Sequence, residues 1–124
     1  MNPEIEVSSP WFELIRDGRK PVEGRKGTPR WLAIKPGMIC IIVNPITKER
    51  FAVTCTGVNR YTSLRAYLVT EGVERALPGV LEELTPEGGD YDDAIERGIG
   101  IYSQWSTQEE INEYGFLGIQ LSHH

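Results

Sequence analysis

Cysteine and histidine, the usual ligands of a structural metal, are nearly absent from this chain of 124 residues. The two histidines, His123 and His124, stand at the last two positions, and neither is given a role. Cys40 and Cys55 sit in apolar, strand-like runs, where a thiol behaves as a small hydrophobe. They are expected to be buried and free rather than joined in a disulfide, and their spacing resembles no metal site. Also missing is any stretch near the ~20 apolar residues that a membrane helix needs. The opening MNPEIEVSSPW lacks the basic-then-apolar pattern of a secretion signal. The expectation is a soluble, cytoplasmic protein with no metal, no cofactor and no membrane partner. No repeat or low-complexity segment is present. At 40% hydrophobic content the chain can fill one core and is too short for two ordinary domains, so residues 1–124 read as one domain.

What is there is unevenly placed. The formal net charge is −5, yet residues 1–65 carry 11 Lys/Arg against 6 Asp/Glu, while residues 66–124 carry 2 against 12. Such asymmetry gives one face a positive field on an acidic chain. The local patterns alternate between strand and helix. Ser8 or Ser9 before Pro10 reads as a helix cap, with Trp11, Leu14 and Ile15 on one side and Gly18 as the stop. Lys20 to Arg25 reads as extended, because Pro21 excludes a helix interior. In a regular strand Lys20 and Val22 face one way and Glu23 and Arg25 the other; a bulge at Pro21 or Gly24 would reunite the charged residues. Met38 to Val43 and RFAVTCTGV are expected to be antiparallel strands. Residues 63–72 read as a short helix, and residues 80–98 as an acidic helical region broken at Gly88-Gly89. Ser106 with Glu109 has capping-box spacing, Gly115 ends that helix, and FLGIQL reads as a last strand paired with an early one. The class is α+β.

Gly18, Lys20, Glu23 and Arg25 reproduce the pattern G-x-K-x-x-E-x-R, and the chain resembles the ASCH domain, the activating-signal-cointegrator homology module of the PUA-like superfamily. PWFELIRDGRKPVEGR, the KPG turn before an apolar strand, the mid-chain LPG and the closing IYSQWSTQEEINEYGFLGIQL extend the similarity over essentially the whole length. The resemblance implies a small PUA-like β-barrel with helices packed around it, and a cleft at the signature residues that accepts RNA or a nucleoside.

The residue chemistry fits a basic cleft of that kind. Lys20 can meet a phosphate or, desolvated, act as an amine base; Arg25 is a rigid fork suited to phosphate oxygens or base edges. Glu23 can accept from an amino or hydroxyl group, or merely order the segment through a salt bridge to Arg25. Arg19, Lys26, Arg30 and Lys35 surround the signature and could track a phosphate backbone. Bases also need flat surfaces to stack on. Trp31 follows the signature; Tyr61 with Ser63 and Arg65, and Tyr102 with Trp105, occupy element junctions where ligand contacts concentrate. The expected ligand-binding set is Lys20, Glu23, Arg25, Arg30, Tyr61, Ser63, Arg65, Tyr102 and Trp105.

Two enzymatic alternatives accompany the binding reading. Small ASCH proteins that deacetylate N4-acetylcytidine use a Lys, a Thr three residues later and a distant Glu, so the resemblance maps Lys20 onto the first. Glu23 stands in the Thr position and removes the hydroxyl nucleophile, leaving Lys20 and Glu23 as a catalytic pair only if the carboxylate activates water. Glu71 and Glu74 lie in the region of the distant acid. A ribonuclease would draw on the acidic run Asp90, Asp92, Asp93 and Glu96 or on Lys, Tyr and Ser without a metal. A protein-interaction scaffold using the acidic half is a third class, and it leaves the basic segment without a function.

Overall fold

A computed structural model of the chain describes residues 2–80 and 90–123. In chain order these residues form β1 (Glu4–Glu6), α1 (Trp11–Arg16), β2 (Val22–Lys26), α2 (Pro29–Leu32), β3 (Ile39–Val43), β4 (Arg50–Tyr61), α3 (Leu64–Glu71), α4 (Val73–Ala76), α5 (Tyr91–Tyr102), α6 (Gln108–Tyr114) and β5 (Phe116–His123). The five strands make one mixed sheet in the order β1-β3-β4-β5-β2. It curls into a half-barrel with helices packed around it, the α+β, PUA-like architecture expected. β1 runs parallel to β3, and the remaining pairs are antiparallel. β1 and β2 are therefore the two open edges.

Local chemistry explains most boundaries. Gly18, at φ +80, lets the chain turn after α1 as expected. The cap of α1 differs: Pro10 holds the N-cap position, and the Ser9 hydroxyl donates to the Glu13 carboxylate at 2.9 Å instead of capping the backbone. β4 outruns its predicted end by three residues, because a register shift between Cys55 and Gly57 lets its far half keep pairing with β5. Ser63 caps α3 by accepting from the Ala66 N–H at 3.0 Å. α6 starts one residue later than its pattern indicated, with the capping box formed by Thr107 and Glu110 rather than Ser106 and Glu109. The Gly88-Gly89 break lies outside the described residues.

Apolar side chains sort onto the two faces of the sheet. One cluster gathers Leu64, Tyr67, Leu68, Leu77, Ile95, Ile111 and Phe116 under α3 to α6. The other fills the curl with Ile5, Phe12, Ile15, Ile34, Ile42, Val53, Leu117 and Ile119. β5 shows why both exist: Phe116 faces the helices while Leu117, Ile119 and Leu121 face the curl, so this strand is covered on both sides. Trp11 touches both clusters at the mouth between the edges. Cys40 and Cys55 are buried and free as expected, and burial together with its neighbour Cys55 pushes the Cys40 thiol up to about 11. Among the described residues no helix is long and apolar enough to cross a membrane.

Candidate functional site

β2 has a neighbour on one side only, and its pairing with β5 is used by alternate residues: the Leu121 N–H reaches the Pro21 carbonyl at 2.8 Å, and the Gly27 N–H reaches Gly115 at 3.0 Å. The backbone groups of Val22 and Gly24 therefore point to the open edge. The signature side chains fold back and satisfy them. Lys20 Nζ donates to the Val22 carbonyl at 2.9 Å, Glu23 Oε1 accepts the Gly24 N–H at 2.9 Å, and Arg25 Nη1 donates to the Gly24 carbonyl at 2.9 Å. No bulge in β2 is needed to gather them, because Lys20 precedes the strand and is free of its alternation.

The opposite edge is treated alike. β1 pairs with β3 through Pro3 and Val7, so Glu4 and Glu6 turn their carbonyls outward. Arg25 Nη2 donates to the Glu6 carbonyl at 2.7 Å and Arg30 Nη2 to the Glu4 carbonyl at 3.4 Å. Guanidinium groups thus reach across from the β2 side to the β1 edge, where a closed barrel would have ladder bonds. Between the edges lies a cleft of about 510 Å³. Its buried lining is Val7, Lys20, Glu23, Gly24, Leu77, Tyr102, Ser106 and Phe116; its more exposed rim includes Glu6, Ser8, Ser9, Trp11, Arg25, Lys26, Trp31, Ile101 and Trp105.

Besides Glu6 and Lys26 at the rim, three charged groups of this cleft lie against one another: Lys20, Glu23 and Arg25. Lys20 and Glu23 are 2% and 5% exposed, so neither can shed its charge into water. Glu23 Oε1 lies 3.2 Å from Arg25 and 3.8 Å from Lys20. Burial pushes the Glu23 carboxyl upward, but Arg25, Lys20 and the Gly24 N–H together outweigh it and hold the group below the usual carboxylate range. Burial lowers Lys20 below an ordinary lysine, with Glu23 opposing that shift. The Lys20 ammonium also donates to the Ala76 carbonyl. Two backbone carbonyls thus hold the ammonium while its charge faces Glu23 at 3.8 Å, and serving as a free amine base would require breaking bonds that hold α4 to β2. Glu23 is less committed: every bond it makes falls on Oε1, and Oε2 has no partner among the described residues.

Aromatic groups supply the rest of the lining. All three tryptophans of the chain, Trp11, Trp31 and Trp105, line this one cleft. Behind it Tyr102, Tyr67 and Phe116 pack edge to face, and the Tyr67 and Tyr102 hydroxyls lie 2.9 Å apart. Burial, with Glu23 adding to it, raises the Tyr102 hydroxyl far above an ordinary tyrosine, so it stays a neutral hydrogen-bonding group. Gly24 is required here, since a Cβ would stand 2.7 Å from Phe116 Cε2 and 2.9 Å from the Tyr67 hydroxyl.

Of the residues expected to bind ligand, the structure brings Lys20, Glu23, Arg25, Tyr102 and Trp105 together in the cleft. Arg30 lies just beyond, its guanidinium 4.5 Å from the centre of the Trp31 ring. Tyr61, Ser63 and Arg65 do not line it. Tyr61 donates to Glu71 at 2.5 Å, Ser63 caps α3, and Arg65 pairs with Glu96 on α5. Glu71 is buried under α3, taking Asn59 at 3.0 Å and Gln120 at 3.1 Å as further donors; Glu74 accepts from the Tyr91 hydroxyl at 3.2 Å. Neither acid lines the cleft. Asp90 and Asp93 form the capping box of α5, and no group of metal-ligating side chains occurs among the described residues. Sequence reasoning overlooked Ser106, whose hydroxyl has no partner among the described residues because Thr107 does the capping, and Trp11, which reads as an ordinary apolar helix residue.

Comparison with known proteins places the chain's family and fold. The ASCH domain family model matches residues 5–121. The chain is similar to hypothetical protein PH0355, known from a crystal structure, with 30% identity, 98% of each chain covered and a TM-score of 0.76. It is also similar to protein PF0455 from Pyrococcus furiosus, known from a solution NMR structure, with 30% identity, 98% of this chain and 96% of that one covered and a TM-score of 0.70. No curated protein matches.

Proposed function

This chain belongs to the ASCH domain family, and from that premise we propose that the cleft between β1 and β2 binds a nucleobase presented by RNA or by a modified nucleotide. The observation that carries the reading is the unpartnered Oε2 of Glu23 inside a lining that holds every tryptophan of the chain. A carboxylate oxygen with free lone pairs accepts from an amino or imino edge of a base, and tryptophan faces take the flat ring. The cleft volume falls within the ~300–1,000 Å³ common for small-molecule sites. Because Oε1 is occupied, Glu23 offers a ligand only Oε2, which disfavours a base whose paired donors would have to bridge both carboxylate oxygens. A hydrolytic version of the same site would rest on Glu23 as base toward water, with Lys20 acting only through its charge.

The test is a titration with ribonucleosides, their monophosphates and short single-stranded RNA, followed by tryptophan emission. A saturable change is expected. Trp105 is 61% exposed, so Trp105→Ala should leave the thermal midpoint in place while weakening the favoured ligand by roughly 1–3 kcal/mol, the worth of one stacked base. Absence of saturable binding for every member of the panel would sink the proposal.

A further inference from the structure

Resting on that reading of the cleft, we infer that its ligand carries a phosphate, received by Arg30 and Arg25 where they flank Trp31 at the rim. The Arg25 and Arg30 guanidinium carbons lie 5.2 and 4.5 Å from the centre of the Trp31 ring. Stacking on an aromatic face restrains a guanidinium while leaving N–H groups along its edge for an acceptor in its plane. Two such cations beside one ring repel each other unless an anion joins them.

The anions already present do not complete this arrangement. Glu23 serves Arg25 from the buried side at 3.2 Å. Lys26, the other rim cation, is engaged by Glu110 at 2.7 Å. Arg30 pairs with no carboxylate among the described residues and holds only the Glu4 carbonyl, at a long 3.4 Å. A charged fork is therefore held beside the mouth of an aromatic cleft with most of its donors unused. A base inserted toward Glu23 would bring its ribose, and whatever phosphate the ribose carries, out past Trp31. A mononucleotide's phosphomonoester and a strand's phosphodiester share this chemistry. One group opposes it: Glu6 also lines the rim and has no ion-pair partner among the described residues.

The experiment compares dissociation constants of the full chain for each ribonucleoside, its 3′- and 5′-monophosphates and single-stranded trinucleotides, at low and high salt. The best phosphorylated form is expected to bind about tenfold tighter than its nucleoside, in keeping with a charge-assisted bond, and the advantage should narrow as salt rises. Arg30→Gln should bring the nucleotide-to-nucleoside ratio toward one, Arg30→Lys should keep part of it, and Glu6→Gln should widen it. An advantage kept by trinucleotides supports the inference with a strand as source; one confined to monophosphates supports it with free nucleotides as source. Nucleosides that bind as well as their phosphates, or a ratio untouched in Arg30→Gln, overturn the phosphate assignment and leave the base site standing. Failure of nucleosides and nucleotides alike overturns both.

Discussion

Replacing Glu23 by Gln keeps the side chain's shape and its acceptor for the Gly24 N–H while deleting one negative charge. In the native protein that charge faces Lys20 at 3.8 Å and Arg25 at 3.2 Å, with Lys20 2% exposed. Removing one member of a buried pair leaves the other uncompensated, at a cost of about 3–5 kcal/mol. The Val22 and Ala76 carbonyls still hold the ammonium, so the lower end, about 3 kcal/mol at pH 7, is expected. The deficit should depend on pH. The folded pKa of Glu23 lies below its unfolded value, so its contribution is complete above the unfolded pKa and is lost as pH falls through the folded one. A protonated Glu23 carries no more charge than Gln. Urea unfolding of both proteins from pH 7 downward should therefore show the two stabilities converging below the usual carboxylate range. A deficit that stays constant across that range would show that shape rather than charge is responsible, and a deficit under ~1 kcal/mol at pH 7 would mean that water reaches the pair. The same substitution places an NH₂ donor at one end of the side chain, so ligand binding should fall even where the fold survives.

Two glycines give stability tests of opposite sign. Gly24→Ala drives a methyl against Phe116 and the Tyr67 hydroxyl, both in a packed aromatic group with no room to yield, and should cost about 1–3 kcal/mol. Thermal melting should register this as a drop of roughly 4 °C per kcal/mol, and a midpoint within a degree of the native one would contradict the packing described. Gly100 is exposed on α5, and a Cβ added there would meet nothing within 4 Å. Substitution by Ala should therefore gain about 0.5–1 kcal/mol, because a flexible residue leaves the helix interior. A lowered midpoint there would mean that α5 is not helical at that point.

The fold was legible wherever one short-range rule governed. Met38 to Val43 is an unbroken apolar run between turns, Gly18 is a residue able to take positive φ after a helix, and both behave accordingly. β1 was not legible: Glu-Ile-Glu carries no more pattern than any exposed tripeptide, and it becomes a strand only because β3 offers a parallel partner. α2 was missed for a similar reason, since four residues opened by Pro29 read as loop until Trp31 finds its place beside two arginines. The misplaced cap at Ser106 came from two overlapping motifs, Ser106-x-x-Glu109 and Thr107-x-x-Glu110, which spacing alone ranks equally.

In the site, the signature singled out Lys20, Glu23 and Arg25, but strand alternation left open whether Lys20 joins the other two, and the reason they gather was not legible. A pattern of charges along a strand suggests groups aimed at a ligand. The geometry gives each of them a structural bond first, because the half-barrel leaves the backbone of Val22 and Gly24 without a partner strand. A buried carbonyl or N–H left unpaired costs about 1–3 kcal/mol, so these side chains are tied to the fold whether or not anything binds. Tyr61, Ser63 and Arg65 illustrate the converse: they sit at a junction, as ligand contacts often do, yet Glu71, the α3 backbone and Glu96 account for their polar groups. Under the proposed function, what separates a binding group from a structural one is therefore the capacity left over after the edges are healed. Lys20 is held by two carbonyls and by the charge of Glu23; Glu23 retains one oxygen, and Arg30 most of its fork. Recognition should accordingly respond to Glu23 and Arg30 as a change in ligand chemistry, and to Lys20 chiefly as a loss of fold.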